Sequence, residues 1–207
     1  MEMDITMSDT PGSDMADKDA ARRAARAARR AFVAALDPMA HRLAFHALPS
    51  PIRALIADCA TVALYSPVGD EAPALRLART LIAEGKTLCL PHVVDRMGTM
   101  EFRRWSPGDE MEQGSFGTLH PPRSAPLCEP DAIFAPLVAF DTRLMRLGQG
   151  GGYYDRAFAR HEGAIRIGLG WSVQEIAHVP ADPWDVPLHR VMTERSILSP
   201  PQGDDLP

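Results

Sequence analysis

The sequence predicts a single α/β domain of three layers, with a largely parallel sheet and helices on both faces. Apolar segments of strand length alternate with segments of helical periodicity, which is typical of βα repeats. With 207 residues, 45% of them hydrophobic, the chain is long enough to bury one sizeable core. We therefore expect a disordered lead-in over residues 1–16, one domain over residues 17–198 and a loose tail over residues 199–207.

The first predicted element is a helix over residues 17–36, which is rich in Ala and Arg and contains neither Gly nor Pro. Hydrophobic periodicity and the positions of glycine and proline predict the others. Further helices are expected over residues 40–48, 51–59, 72–84 and 153–161, and strands over residues 61–68, 87–91, 100–105, 131–139, 164–170 and 191–198. The strand over residues 100–105 alternates in the manner of an edge strand.

The predicted first helix has one basic face. At 100° per residue, six cations fall within an arc of about 140°, opposite a face of alanines. The six are Lys18, Arg22, Arg23, Arg26, Arg29 and Arg30. This pattern is compatible with a solvated charged surface, with a transit peptide or with contacts to bound phosphates. Nearby aspartates, such as Asp17 and Asp19, count against a transit peptide.

Composition excludes several classes of protein. The formal net charge of -5 argues against a general nucleic-acid binder, which needs clustered Lys and Arg. No apolar run approaches the roughly 20 residues of a membrane span, and the N-terminus is acidic where a signal peptide is basic. Cys59, Cys89 and Cys128 form no C-x-x-C pair. We expect a cytoplasmic protein, without a membrane or nucleic-acid partner.

Residues 146–155, Arg-Leu-Gly-Gln-Gly-Gly-Gly-Tyr-Tyr-Asp, are the most informative string of the chain. Glycines leave backbone N–H groups uncovered, and the following helix adds its positive end, so the loop suits a phosphate. Arg146 supplies a fixed charge, and Asp155 supplies an oxygen ligand for magnesium on those phosphates. The string matches neither a P-loop nor a dinucleotide fingerprint. The alternative is a flexible glycine-rich turn.

This string, with the preceding residues 130–141, resembles the signature of the 5-formyltetrahydrofolate cyclo-ligase family, also called methenyltetrahydrofolate synthetases. The resemblance extends from about Lys18 to Glu194. It implies ATP- and magnesium-dependent conversion of 5-formyltetrahydrofolate to 5,10-methenyltetrahydrofolate, with release of ADP and phosphate. The ATP-binding residues it implies are Lys18, Arg22, Arg146, Leu147, Gly148, Gln149, Gly150, Gly151, Gly152, Tyr153 and Tyr154.

Two registers of the first helix fit the family's pattern of cations. Lys18 and Arg22 have the family's spacing, and we prefer them as the pair that reaches the phosphates. Arg22 and Arg26 fit nearly as well, with arginine in place of lysine.

The resemblance also implies folate contacts. Glu71 closes a Tyr-x-Pro-x-x-x-Glu pattern like that of the family, and Phe116 corresponds to a segment that places an aromatic ring against the pterin. Gly150 and Tyr153 are expected to touch both substrates. Arg146 is assigned to charge stabilisation, and no general base is nominated. For Glu71 alone, an ordinary first-turn helix residue is the alternative, and for Phe116 a core residue.

The metal is where the sequence departs from the family. The family's closing segment carries Val-Pro-Leu-Asp, with the Asp near the magnesium, and here that position is His189. Magnesium prefers oxygen ligands, so Asp155 becomes the expected ligand, and Asp185 or His189 a possible second. A histidine without a metal role is equally compatible. A monomer is expected.

Two other functions remain open from the sequence. One is a related nucleotide-binding enzyme that acts on another small molecule and lacks the folate contacts around Glu71. The other is a non-catalytic relative that binds a nucleotide, or binds RNA through the arginine-rich helix.

Overall fold

The computed structural model describes residues 11–95, 99–114, 117–182 and 185–200. Its helices are α1 (Pro11–Ala35), α2 (Pro38–Leu43), α3 (Ser50–Leu55), α4 (Ala78–Ala83) and α5 (Tyr153–Arg160). Its strands are β1 (Thr61–Ala63), β2 (Thr87–Val93), β3 (Met100–Arg104), β4 (Glu112–Gln113), β5 (Leu119–His120), β6 (Leu127–Cys128), β7 (Ala132–Pro136), β8 (Ala139–Phe140), β9 (Arg146–Leu147), β10 (Ile165–Leu169), β11 (Arg190–Met192) and β12 (Ile197–Leu198). Ala74–Leu77 and Ser172–Gln174 form 3₁₀ turns.

Eight of these strands form the central sheet, in the order β12-β11-β10-β7-β1-β2-β3-β6. The five strands from β11 to β2 run parallel, while β12, β3 and β6 pair in antiparallel fashion at the two edges. The order of the parallel strands reverses between β1 and β7. In open α/β sheets, ligands bind beyond the carboxyl ends of the strands at such a reversal. A ligand site is therefore expected at the loops that follow β1 and β7.

Strand periodicity explains how both faces of the sheet are covered. Val62 and Leu64 point to one side, where α3, α4 and the C-terminal part of α1 pack. Ala63 points to the other side, where Ala157 and Phe158 of α5 pack. The predicted α/β sandwich with helices on both faces is confirmed. Within the described ranges, the helices lack the combination of length and apolarity that crossing a membrane requires.

Helix α1 begins at Pro11, inside the segment that was expected to be disordered. Proline suits the first turn of a helix because its missing N–H would have no helical acceptor there. Residues 1–10 and 201–207 lie outside the described residues, so their disorder and the proposed division of the chain stay predictions.

Several element boundaries differ from the predictions. Helix α2 ends at Leu43, just before Phe45 takes a φ of +58°, and β1 ends at Ala63 rather than at residue 68. The helix predicted over residues 72–84 begins as the 3₁₀ turn Ala74–Leu77, which α4 follows. Strand β3 is not at the edge, since β6 pairs with it through Phe102 and Arg103.

The strand predicted over residues 191–198 is in fact two antiparallel strands, β11 and β12. Thr193 makes the turn between them. Its N–H donates to the Ser196 carbonyl at 2.8 Å, and its Oγ1 accepts from the Ser196 N–H at 2.9 Å. A side chain that hydrogen-bonds to the nearby backbone competes with strand pairing, which is why the strand breaks there.

The β8–β9 hairpin carries the chain into the glycine loop, and one buried carboxylate organises its turn. Asp141, fully buried, accepts hydrogen bonds from the N–H groups of Arg143, Met145 and Val179 at 3.0–3.1 Å. The Arg143 guanidinium also pairs with it at 2.8 Å. Burial by itself would raise the pKa of Asp141, but these bonds outweigh burial and hold the pKa below its ordinary value.

Replacement of Asp141 is therefore expected to destabilise the protein. Asp141→Ala leaves one buried and two partly buried N–H groups without an acceptor, which should cost about 3 kcal/mol in the free energy of unfolding, measured with urea at pH 7. Arg143→Ala should cost less than about 1 kcal/mol, because the Arg143 side chain is half-exposed and the backbone donors remain.

The same site predicts a pH dependence. Because the folded pKa is depressed, the stabilisation is complete above the ordinary aspartate pKa, near ~4, and is lost as pH falls through it toward the folded value. The stability gap between wild type and Asp141→Ala should close over that range. A gap that is constant with pH would contradict the assignment of an ionised Asp141.

Candidate active site

The glycine loop of residues 148–152 joins β9 to α5 and has a backbone that requires glycine. Gly150 has a φ of +106°, and Gly152, the N-cap of α5, has a φ of +64°. Both values lie in the left-handed region that other residues rarely adopt. At Gly148 a Cβ would lie 2.6 Å from Nη1 of Arg146, so the Arg146 guanidinium would have to shift to admit a side chain.

The hydrogen bonds of this loop use its carbonyl groups and leave its donors available. The Gly148 carbonyl accepts from Nε of Arg22 at 3.0 Å, and the Gly151 carbonyl accepts from Nη2 of Arg156 at 2.5 Å. The backbone N–H groups of residues 148–152 donate to no acceptor in the described part of the chain. Consecutive N–H groups at the start of a helix form an anion-binding concavity. The loop therefore has the donor set that a phosphate needs.

Arg146 and Asp155 fix the two ends of the loop to each other. Nη2 of Arg146 donates to Oδ1 of Asp155 at 2.7 Å, and the guanidinium carbon lies 5.6 Å from the ring centre of Tyr154. Arg146 is buried, whereas the Asp155 side chain is 27% exposed. Arg146 thus supports the glycine loop from the buried side. The carboxylate of Asp155 lies in the first turn of α5, next to the loop.

Helix α1 turns part of its basic face inward. Lys18 and Arg22 have side chains only 12% and 15% exposed, and Arg29 and Ala25 are buried. Arg23 and Arg30 remain exposed. One interpretation that the sequence left open was a solvated basic face. It is wrong for three of the six cations, Lys18, Arg22 and Arg29.

The inward cations have different partners. Arg22 donates to Gly148, and Arg26 donates through Nε to Oε1 of Gln149 at 3.1 Å. Lys18 instead lies one turn away, 2.6 Å from Oδ2 of Asp182 and 3.2 Å from Oδ2 of Asp185. Its burial opposes the charged form, but the two carboxylates outweigh this and raise the pKa of Lys18. Arg22 and Arg26 contact the glycine loop, so the second register of the helix matches this geometry better.

Glu71 lies across the glycine loop from α1. Its Oε1 accepts from Nε2 of Gln149 at 3.2 Å, and its Oε2 accepts from the N–H of Val68 at 3.0 Å. The Gln149 amide therefore bridges Arg26 and Glu71. This bridge joins the segment after β1 to the loop before α5, at the reversal of strand order where a ligand site is expected.

The two tyrosines that begin α5 have different surroundings. Tyr154 packs against the core beside Arg146 and Phe158, and burial raises its pKa, which keeps the phenol neutral. Tyr153 lies under the Arg156 guanidinium, and its hydroxyl donates to the Asp95 carbonyl at 3.4 Å. Leu147 is buried against α1. Phe116 lies outside the described residues.

The structure does not bring His189 to Asp155. Nδ1 of His189 accepts from the N–H of Arg166 at 2.9 Å, at the amino ends of β10 and β11. Arg166 also reaches the Glu162 carbonyl, just beyond α5, whereas Asp155 is in the first turn of that helix. Eight residues of helix, about 12 Å, separate the two ends. Burial, Arg166 and Arg190 lower the pKa of His189, so the imidazole is neutral at pH 7.

The remaining carboxylates offer few ligands for a metal. Across the described ranges, the structure holds no group of three or more His, Cys, Asp or Glu side chains placed for a metal ion. Asp185 accepts from Lys18 and from the N–H of Asp182. Magnesium commonly binds through one or two carboxylates, phosphates and water. Asp155, beside the glycine loop, fits that mode.

Two residues near this site received no individual role in the sequence analysis. Asp141 orients the hairpin before the loop, and its place at the end of the family-like segment of residues 130–141 is the sequence signal for it. Arg29 is the other. Nothing in the sequence separates it from Arg30, since only packing decides which of the two turns inward.

Comparisons with known proteins identify the family of this chain. The family model of the 5-formyltetrahydrofolate cyclo-ligases matches residues 14–194. The cyclo-ligase of Haemophilus influenzae is 34% identical over 139 residues, which are 63% of this chain and 74% of that protein. The Escherichia coli K12 enzyme is 30% identical over 145 residues, which are 66% of this chain and 79% of the enzyme.

Solved structures give the same relationship. The 5,10-methenyltetrahydrofolate synthetase of Aquifex aeolicus is 28% identical, with a TM-score of 0.72 over 92% of this chain and 96% of that one. The synthetase of Mycoplasma pneumoniae, 24% identical with a TM-score of 0.65, shares the fold over 86% of this chain and 99% of that one. The family model covers most of the chain, including the glycine loop. This chain belongs to the 5-formyltetrahydrofolate cyclo-ligase family.

Proposed function

We propose that this protein converts 5-formyltetrahydrofolate to 5,10-methenyltetrahydrofolate, with ATP as co-substrate and magnesium as cofactor, and releases ADP and phosphate. The observation that carries the proposal is the glycine loop. Its N–H groups are available to phosphates, and Gln149 joins it directly to Glu71. Family membership supports the folate substrate, and the phosphate-sized donor set of the loop supports the nucleotide.

The proposed chemistry explains why phosphates must be held beside a folate. A formyl group on nitrogen is a poor electrophile. Transfer of the γ-phosphoryl group to the formyl oxygen breaks the bond to the β,γ-bridging oxygen, and ADP leaves with that electron pair. Nitrogen 10 then attacks the formyl carbon and loses its proton, and phosphate departs as the ring closes. Both steps depend on alignment and on offsetting moving charge rather than on a protein nucleophile.

The phosphate side of the site is assigned to the loop and to the cations around it. The N–H groups of residues 148–152 bind the phosphate oxygens, and Arg22, already 3.0 Å from the Gly148 carbonyl, adds charge. Arg146 stabilises developing charge from beneath the loop. Lys18 reaches the phosphates only if it leaves Asp182 and Asp185. Arg26 is the better-placed partner of Arg22.

The folate side is assigned to Glu71, Phe116, Gly150 and Tyr153. Glu71 lies at the carboxyl end of β1, and its contact with Gln149 is exposed enough for a ligand to replace it. A carboxylate accepts hydrogen bonds from the amino and ring N–H groups of a pterin. The ring of Tyr153 offers a surface on which a flat heterocycle stacks.

Asp155 is the proposed magnesium ligand. The ion neutralises charge on the phosphates when it is bound, and one carboxylate beside them is sufficient to hold it there. Asp155 keeps its first-turn position through Arg146. The position of His189 at the far end of α5 from Asp155 disfavours it for this role.

The inward orientation of α1 disfavours the RNA-binding alternative. Lys18, Arg22 and Arg29 are largely withdrawn from solvent, which leaves too few aligned cations on the surface for a strong electrostatic footprint. The absence of a nucleic-acid partner is therefore part of the proposal. We also propose that the enzyme acts in the cytoplasm as a monomer, without a membrane partner.

Methenyltetrahydrofolate should form only when 5-formyltetrahydrofolate, ATP and a divalent metal are all present. The rise in product absorbance measures this directly, with ADP measured in parallel. Omission of ATP, or addition of a chelator, serves as the control. Equal product without nucleotide would sink the proposal.

The two halves of the site should separate in kinetics. Arg22→Met should raise KM for ATP, while Glu71→Gln should raise KM for the folate, each by roughly 10–100-fold for a charge-assisted contact. Arg26→Ala should impair ATP kinetics more than Lys18→Ala, because Arg26 reaches the loop and Lys18 holds the two aspartates. The reverse order would restore the Lys18–Arg22 register.

Metal dependence should follow Asp155 and not His189. Asp155→Asn should lower turnover sharply and raise the magnesium concentration needed, whereas His189→Ala should leave the magnesium requirement unchanged. Magnesium titrations of the two variants decide this. His189→Ala is the control, because His189 lies near the opposite end of α5 from Asp155. A large effect of His189→Ala on the magnesium requirement would show that the metal assignment is wrong.

A further inference from the structure

Arg29 is a buried cation with unused donors. It is 9% exposed, and its Nε and Nη1 have no hydrogen-bond partner within the residues that the structure describes. Arg22 and Arg26, on the same helix, both have acceptors. Burial of a guanidinium without an acceptor is unfavourable, so an unpaired buried arginine points to a site where an anion binds.

Contacts on either side of Arg29 show what it faces. One turn earlier, Arg26 reaches Glu71 through the Gln149 bridge. One turn later, Phe32 packs 5.7 Å from Trp171, whose Nε1 donates to the Asp70 carbonyl at 2.9 Å. Position 29 lies midway between positions 26 and 32, both along the helix and around it. Arg29 therefore faces the segment of Asp70 and Glu71.

The charges around this segment agree with that placement. Burial raises the pKa of Tyr65, Glu71 raises it further, and Arg29 acts in the opposite direction, so both charged groups lie near that buried phenol. The Tyr65 hydroxyl donates to the Ala72 carbonyl at 2.7 Å. Both oxygens of Glu71 already accept from Gln149 and Val68, and Glu71 and Arg29 form no ion pair. Arg29 thus keeps its charge and its donors for another acceptor.

We infer that Arg29 is a catalytic residue that binds the γ-phosphoryl oxygens as this group passes from the nucleotide to the formyl oxygen. The inference rests on the proposed function. Arg29 lies between the two assigned halves of the site. The glycine loop, which is assigned to the phosphates, contacts α1 one turn before Arg29, and the segment of Glu71, which is assigned to the folate, faces Arg29. Only the transferred group has to be in contact with both halves. Substrates that displace the Gln149 bridge would open the way to Arg29.

Binding of MgATP and MgADP in the absence of folate tests this contact, because only MgATP carries the γ-phosphoryl group. Calorimetric titrations compare wild type with Arg29→Met, Arg29→Lys and the exposed control Arg30→Met on the same helix. Arg29→Met should weaken MgATP by roughly tenfold and leave MgADP within about twofold. Its kcat should fall about 100-fold, with Arg29→Lys intermediate. Arg30→Met should match wild type.

Stability distinguishes this role from a structural one. Removal of an unpaired buried charge should leave Tm of Arg29→Met unchanged or higher while activity is lost. Equal weakening of MgATP and MgADP, or no weakening, would overturn the inference. If Arg29→Met fails to fold, Arg29→Lys must still show selective loss of MgATP affinity. A wild-type enzyme that forms no methenyl product would instead refute the proposed function, which these titrations keep separate.

Discussion

The burial of cations between helix α1 and the end of the sheet is the constraint on which the site depends. Charged side chains are expensive to remove from water unless they are paired. Here Lys18 faces two aspartates, Arg22 a loop carbonyl and Arg29 no acceptor within the described residues. Alanines were available on the opposite face of the same helix. The fold has therefore placed positive charge where an anionic ligand would offset its cost.

The glycine loop is held in place from both sides by this arrangement. From α1, Arg22 holds the Gly148 carbonyl, and from within the domain Arg146 holds Asp155 at the start of α5. The buried carboxylate of Asp141 fixes the hairpin that leads into the loop. The carbonyls of Gly148 and Gly151 accept from arginines, and the loop N–H groups have no acceptor among the residues that the structure describes. A backbone ordered before binding loses little entropy when a phosphate arrives.

Local patterns were sufficient for most of the fold and for locating the glycine loop. Apolar segments of strand length identified the strands of the parallel sheet, and the glycines before Tyr153 marked the start of α5. The edges were harder. Strand β6 is two residues long, and the turn at Thr193 depends on one side chain, so neither gives a periodic signal.

The sequence by itself determined the α/β class, the position of the glycine loop and the family resemblance, because each is encoded within a short stretch of chain. Tertiary structure alone decided which cations of α1 turn inward, since Arg22 meets Gly148 across 126 residues and Lys18 meets Asp182 across 164. It also separated His189 from Asp155, because strand direction puts them at opposite ends of α5. Side-chain partners of this kind follow from packing between distant elements, which no local periodicity records.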